Sequence, residues 1–173
     1  MHLFVWNYNR TVKIPVEVTP ATKSDLQNTS SWQTKWTSKA VASMPNKVSL
    51  HRVDDGELLG MMSYDIHERG MAVEVIYIES AGHSNANLLR STDNQKKYLG
   101  IAHALFAYAA QVSMDAGFGG VFFFRAKTTK LKSYYMKEFG AVPLGQYDPL
   151  RLIVWEEAAE TLLSTYEVVS DDD

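Results

Sequence analysis

The period of apolar and polar positions changes several times along the chain, and each change predicts an element. Residues 3–18, "LFVWNYNRTVKIPVEV", are β-branched and aromatic with partial alternation, which predicts one or two strands. Pro15 and Pro20 limit how far any central strand can run there. In "SSWQTKWTSKAVASM", Trp32, Trp36, Ala40 and Met44 fall four apart behind serines that can cap, which predicts an amphipathic helix ending before Pro45. Three strand-like runs follow: "KVSLHRV", "ELLGMMSYDI" and "MAVEVIYIES". The turn signals "DDGE" and "HERG" separate them, as in an antiparallel meander. The polar stretch 81–95, "AGHSNANLLRSTDNQ", is longer than most connections, and loops of that length are usually functional or mobile.

From Lys96 the helical period returns. Tyr98, Ile101, Ala102, Leu105, Ala109 and Val112 recur at three and four, and "DAG" ends the helix at Gly117. "GVFFFRA" is continuously apolar, which reads as a strand covered on both faces. Strand, helix and buried strand in that order form a right-handed βαβ unit. "TKLKSYYMKEFG" predicts a second helix closed by Gly140. "AVPLG" and "LRLIVW" read as a last strand pair, "EEAAETLLSTY" as a terminal helix, and "SDDD" as a solvated tail. No repeat or linker interrupts the pattern, so residues 1–173 are expected to form a single domain.

Composition narrows the chemistry. With 46% hydrophobic and 21% charged residues, the chain is a globular protein with a full core. It has no cysteine, which excludes thiol catalysis, cysteine metal sites and disulfides. The five histidines show no HxH or HExxH spacing, so no metal site is expected. The N-terminus is too short and polar for a signal peptide, and no apolar run reaches membrane-spanning length, so a cytoplasmic protein without a membrane partner is expected. A net charge of −3 makes a nucleic-acid partner unlikely, since a dedicated binder usually carries a basic stripe. The local cluster Lys127, Lys130, Lys132 and Lys137 is the exception, and such a cluster is most often a solvated helix face.

One residue does not fit its helix. Gly100 sits near the start of an otherwise strong helical stretch, where glycine costs about 1 kcal/mol relative to alanine. Amides at a helix N-terminus point outward unsatisfied and the helix dipole adds positive charge, so this is where an anion binds. A glycine there removes the Cβ that would hold a pyrophosphate away. The stretch Lys97 to Ala102 reads K-x-x-G-x-A. It resembles motif A, [QR]-x-x-G-x-[GA], of the GNAT superfamily of acyl-CoA N-acyltransferases. Gly100 and Ala102 match, and Lys97 stands where the family has Arg or Gln. "VEVIYIESA" is similar to the family's fourth strand, "GFGGVFFFRAK" to its fifth, and "SYYMKEFGA" to its tyrosine-bearing helix. The resemblance covers Leu58 to about Trp155, and the first fifty residues by element order alone.

The resemblance implies an α+β fold. Its mixed, mostly antiparallel central sheet has the fourth and fifth strands splayed, with helices flanking it. It implies acetyl-CoA as acyl donor, with the pantetheine arm on the backbone of Ile76, Tyr77 and Ile78. The pyrophosphate would lie on the amides of Lys97, Tyr98, Leu99, Gly100, Ile101 and Ala102, extending to His103. It also implies a tyrosine that protonates the leaving thiolate. Counting to Lys137 in the family's Y-x-K pattern selects Tyr135, with Tyr134 as its competitor. Neighbours on a helix point about 100° apart, so only one of the two can serve.

A base that deprotonates the amine is useful. Glu79, after "VIYI", is the candidate, provided Tyr77 and Phe122 to Phe124 lie close enough to raise its pKa. The alternatives are an exposed strand-end carboxylate at Glu79, with His83 or water as base. Glu74 is out of phase with Glu79 and faces the other side of a regular strand. The resemblance implies direct attack of a primary amine, on a small molecule or peptide, in a ternary complex, and without cysteine a covalent thioester relay is closed. A silent CoA-binding module and an acetyltransferase toxin acting on aminoacyl-tRNA are the alternatives. Many members of the family pair, which implies a possible homodimer.

Overall fold

The computed structural model describes residues 1–89 and 95–167. The expected solvated tail, and Arg90 to Asn94 of the long polar stretch, lie outside the described residues. The chain forms two compact units, Met1–Ser63 with Tyr77–Leu105, and Tyr64–Ile76 with Phe106–Asp173. Three elements run from one unit into the other: strands β4 (Leu58–His67) and β5 (Ala72–Ser80), and helix α4 (Ile101–Asp115).

The first unit holds strands β1 (Phe4–Asn7), β2 (Lys13–Pro20) and β3 (Lys47–Arg52), and the short β6 (Tyr98–Leu99). With β4 they follow the order β6-β1-β2-β3-β4, each neighbouring pair antiparallel. In β2, Ile14 and Val16 are buried while Lys13, Pro15 and Glu17 face out, the period of a half-buried strand. The β3–β4 hairpin turns at Gly56, whose φ of +74° suits glycine. Helix α1 (Lys23–Gln27) starts with a reciprocal cap between Thr22 and Asp25.

The helix expected across 30–44 is not there. Turns occupy most of the stretch, and only α2 (Lys39–Ala42), capped by Ser38, is helical. Trp36 is 1% exposed and packs with Val41 and Met61, beside Trp32, Met44, Leu58 and Tyr77. The four-residue spacing therefore reflects burial without helix. Serine and threonine side chains can bond the backbone locally and weaken a helix. The amides of Gln33 and Thr34 are satisfied by a carboxylate more than forty residues away.

The second unit holds β7 (Phe122–Arg125), α5 (Thr129–Phe139), β8 (Val142–Pro143), β9 (Arg151–Val154) and α6 (Glu156–Ser164). β5 pairs with β7 in parallel, β7 with β9 and β9 with β8 antiparallel. Phe122, Phe123 and Phe124 are all buried, as the continuous apolar run predicts. Phe106 of α4 stacks on Phe122 at 5.4 Å and meets Phe124 at 4.8 Å and Phe139 at 5.0 Å. Thr128 caps α5, and Gly140 ends it at φ +66°. The nine strands form a mixed, mostly antiparallel sheet, so the class is α+β. Among the described residues no helix is long and apolar enough to cross a membrane.

Candidate active site

Helix α4 begins at Ile101, three residues after Tyr98, where its apolar period starts. Gly100 has φ +89°, a conformation that other residues rarely adopt, and its carbonyl accepts the first intrahelical bond, from Ala104 N at 3.0 Å. Gly100 is thus no flaw inside the helix; it is the cap from which the helix starts. Tyr98 lies outside the helix altogether, in β6, opposite Asn7 of β1. A Cβ on Gly100 would have Trp6 Cδ1 as its nearest neighbour, at 4.0 Å, so the space beside it is open. The amides of Ile101 and Ala102 follow with no intrahelical carbonyl to bond.

Part of the segment expected to face a pyrophosphate has its amides bonded within the protein. Lys97 N donates to His83 O at 2.8 Å, and Tyr98 N donates to Ser84 Oγ at 3.0 Å. Both amides are taken up within the protein, and Leu99 pairs with Trp6. The Lys97 ammonium lies 2.8 Å from Glu57 Oε1. Glu57 also accepts from the Tyr98 hydroxyl, which in turn accepts from Arg52 at 2.8 Å. Burial pushes the Glu57 carboxyl up, but the Lys97 and Tyr98 bonds outweigh it and the net shift is downward. His83, whose Nε2 is 3.5 Å from Glu57, is shifted down chiefly by burial. The sequence offered no signal for this network, whose members lie up to 46 residues apart.

The parallel pairing of β5 with β7 covers only Val73 to Val75, and β5 then runs on through Ile76 to Ser80. Ile76, Tyr77 and Ile78 are partly exposed, whereas Ala72, Val73 and Val75 are buried. The resemblance implies a fourth and fifth strand that part, and here the β5–β7 pairing ends with Val75 and Phe124. The end of β5 and the start of α4 meet at Gly60 of β4. A Cβ there would lie 2.8 Å from Ile101 Cγ2, 3.1 Å from Glu79 O and 3.2 Å from Leu105 Cδ1. Only a residue without a side chain lets the helix start sit this close to the strand.

Glu79 is neither an exposed strand-end carboxylate nor one lodged among bare apolar groups. It is 4% exposed. Its oxygens accept from Gln33 N at 2.6 Å, from Thr34 N at 3.1 and 3.3 Å, and from Trp36 Nε1 at 2.9 Å. Glu74 is held by His67 Nε2 at 3.0 Å, on the neighbouring strand. In the second unit, Tyr135 turns inward, its ring 5.0 Å from Phe124 and 5.8 Å from Phe106, while Tyr134 is 44% exposed. Burial, with a smaller contribution from Tyr134, pushes the Tyr135 phenol up to about 12, so it keeps its proton at neutral pH. His103 lies on the first turn of α4 and is partly buried. Lys127, Lys130 and Lys137 are exposed, and Lys132 is partly so.

No protein-family model matches the chain, and no curated protein matches it. Solved structures do. The crystal structure of AtaTR bound with acetyl-CoA superposes with a TM-score of 0.56 at 19% identity, over 85% of this chain and 97% of that one. AtaT complexed with acetyl-methionyl-tRNAfMet gives 0.53 at 17%, over 85% and 97%. An acetyltransferase of the GNAT family from Listeria monocytogenes gives 0.53 at 10%, over 81% and 94%. The expectation that nucleic acid is an unlikely partner finds no support here, since these similar structures include complexes with tRNA and with DNA. At these identities the likeness is one of architecture, and the chain has the fold of the GNAT acetyltransferases.

Proposed function

We propose that the protein transfers an acetyl group from acetyl-CoA to a primary amine by direct attack in a ternary complex. One observation carries this reading: the glycine-opened start of α4 and the end of β5 beyond β7 are brought together over Gly60. The first can take a pyrophosphate on the amides from Gly100 to His103, where the left-handed glycine leaves room. The second can take the amides of a pantetheine arm on the backbone of Ile76 to Ile78. Such binding at both ends fixes the thioester against the strand, and holding reactants in place supplies much of the rate in transfers of this kind.

In the reaction the amine nitrogen forms a bond to the acyl carbon, the carbon–sulfur bond breaks, and the thiolate takes a proton. The resemblance gives that proton to Tyr135, and the burial that holds its phenol neutral supports an acid in this role. The proton released by the amine goes to water in this reading, because three N–H donors already take up most of the Glu79 lone pairs. The α-amine of an aminoacyl-tRNA is one acceptor of the required class, and the complex of the similar AtaT with acetyl-methionyl-tRNAfMet favours including it.

The test is to incubate the protein with acetyl-CoA and a panel of primary amines: polyamines, peptides with free N-termini and aminoacyl-tRNAs. CoA release and the acetylated product are then followed. Acetylation of one class is expected. Tight acetyl-CoA binding with no transfer to any amine would favour the silent binding module.

A further inference from the structure

Glu79 has the position of a base and the bonding of an anchor. A carboxylate has about four lone-pair sites, and here they meet three N–H groups: Gln33 N, Thr34 N and Trp36 Nε1. A base must offer a lone pair to the proton it removes. The three donors all belong to one segment, Gln33–Trp36, which is built of turns and has no helix or sheet ladder to hold it. Its backbone bonds within 28–38 are short-range, such as Trp32 N to Thr29 O and Trp36 N to Thr34 O. Glu79 ties it to the end of β5. Two weaker ties support it: Asn85 Nδ2 bridges Gln33 Oε1 and Ser80 O at 3.4 Å each, and the Trp36 ring meets Tyr77 edge-on at 6.4 Å.

We infer that Glu79 is a positioning residue, whose carboxylate pins Gln33–Trp36 to the end of β5 and so shapes the wall that the acceptor amine meets. This rests on the proposed acetyl transfer. An amine attacking an acyl group laid along Ile76 to Ile78 arrives within a residue or two of Glu79, and the pinned segment is what stands there. The carboxylate thereby governs acceptor affinity and leaves the chemical step to other groups.

Glu79→Gln tests this. The glutamine keeps the shape but turns one acceptor oxygen into a donor, so at least one of the three N–H groups loses its partner. The acceptor KM should rise roughly tenfold, with kcat changed less than about twofold. Acetyl-CoA affinity and the shape of the pH–rate profile should be those of the wild type. In the 1H–15N spectrum the Trp36 indole resonance should shift, or the amides of Gln33 and Thr34 should exchange faster, according to which oxygen the glutamine NH2 replaces. A fall in kcat with unchanged KM, together with loss of a limb of the pH profile, would overturn the inference and make Glu79 the base. An unmoved indole resonance together with unchanged exchange at Gln33 and Thr34 in the folded variant would also overturn it. If Glu79→Gln does not fold, Glu79→Asp, which keeps the charge on a shorter arm, carries the same readouts. The spectra do not depend on turnover. Absence of acetyl transfer in the wild type would therefore sink the proposed function, while the indole and amide signals still report whether Glu79 anchors the segment.

Discussion

Replacing Gly100 by alanine separates what the fold asks of this residue from what a ligand asks. At φ +89° the alanine adopts a left-handed conformation, which costs about 1–2 kcal/mol for a residue with a Cβ. That strain is present with or without ligand, so it lowers folding stability and cancels from affinity. The methyl itself meets nothing closer than Trp6 Cδ1 at 4.0 Å, an ordinary contact, so the protein has room for it. If a pyrophosphate occupies that room, the methyl overpacks it. Overpacking costs about 1–3 kcal/mol, which is roughly a 5- to 150-fold loss of acetyl-CoA affinity. Urea unfolding measures the first quantity and calorimetric titration with acetyl-CoA the second. S-acetylpantetheine, which lacks the pyrophosphate, serves as control and should bind both proteins alike. A variant that loses stability as expected but binds acetyl-CoA like the wild type would refute the cradle at Gly100.

Gly60→Ala should cost about 1–3 kcal/mol in urea unfolding, because its methyl would sit 2.8 Å from Ile101 Cγ2 and 3.1 Å from the Glu79 carbonyl. Unchanged stability would mean that α4 is not seated so closely on β4. Tyr135→Phe should lower turnover with little change in acetyl-CoA affinity, and Tyr134→Phe should leave turnover nearly intact; the reverse result would move the acid to the exposed ring. Glu57 and His83 both have folded pKa values below their unfolded ones, so each contributes stability that is present above its unfolded value and lost as pH falls. The unfolding midpoint should therefore drop below pH 6.5 as His83 is charged in the unfolded chain, and drop again below 4.5 through Glu57. In Glu57→Gln the lower step should shrink to what Asp25, Asp54 and Asp148, also shifted down in the fold, still contribute.

What the sequence made legible is what local physics decides. "VFFFRA" reads as a strand covered on both faces and is one, because three consecutive buried phenylalanines leave no solvent side. Gly56 and Gly140 mark a turn and a helix end because their positive φ suits glycine wherever they fall. The K-x-x-G-x-A stretch points to α4 for the same reason, although its register is shifted by the pairing of Tyr98 with Asn7, a partner ninety-one positions earlier in the chain. The turns at 28–38 were not legible. The spacing of Trp32 and Trp36 fits a helix, and only the distant Glu79 carboxylate draws the amides of Gln33 and Thr34 away from helical bonding. That same contact turns the apparent base into an anchor. The network of Glu57, Lys97, Tyr98, Arg52 and His83 is likewise a product of folding, with no spacing rule to announce it.

The central claim is that acetyl-CoA lies between the start of α4 and the end of β5. Titrating acetyl-CoA into 15N-labelled protein and following the backbone amides tests it most directly. The account predicts that the largest shifts fall on Ile76 to Ile78 and on Gly100 to His103, with the amides of Lys97 and Tyr98, already bonded to His83 and Ser84, moving less. Saturable binding whose shifts cluster elsewhere and leave both segments unmoved would contradict it.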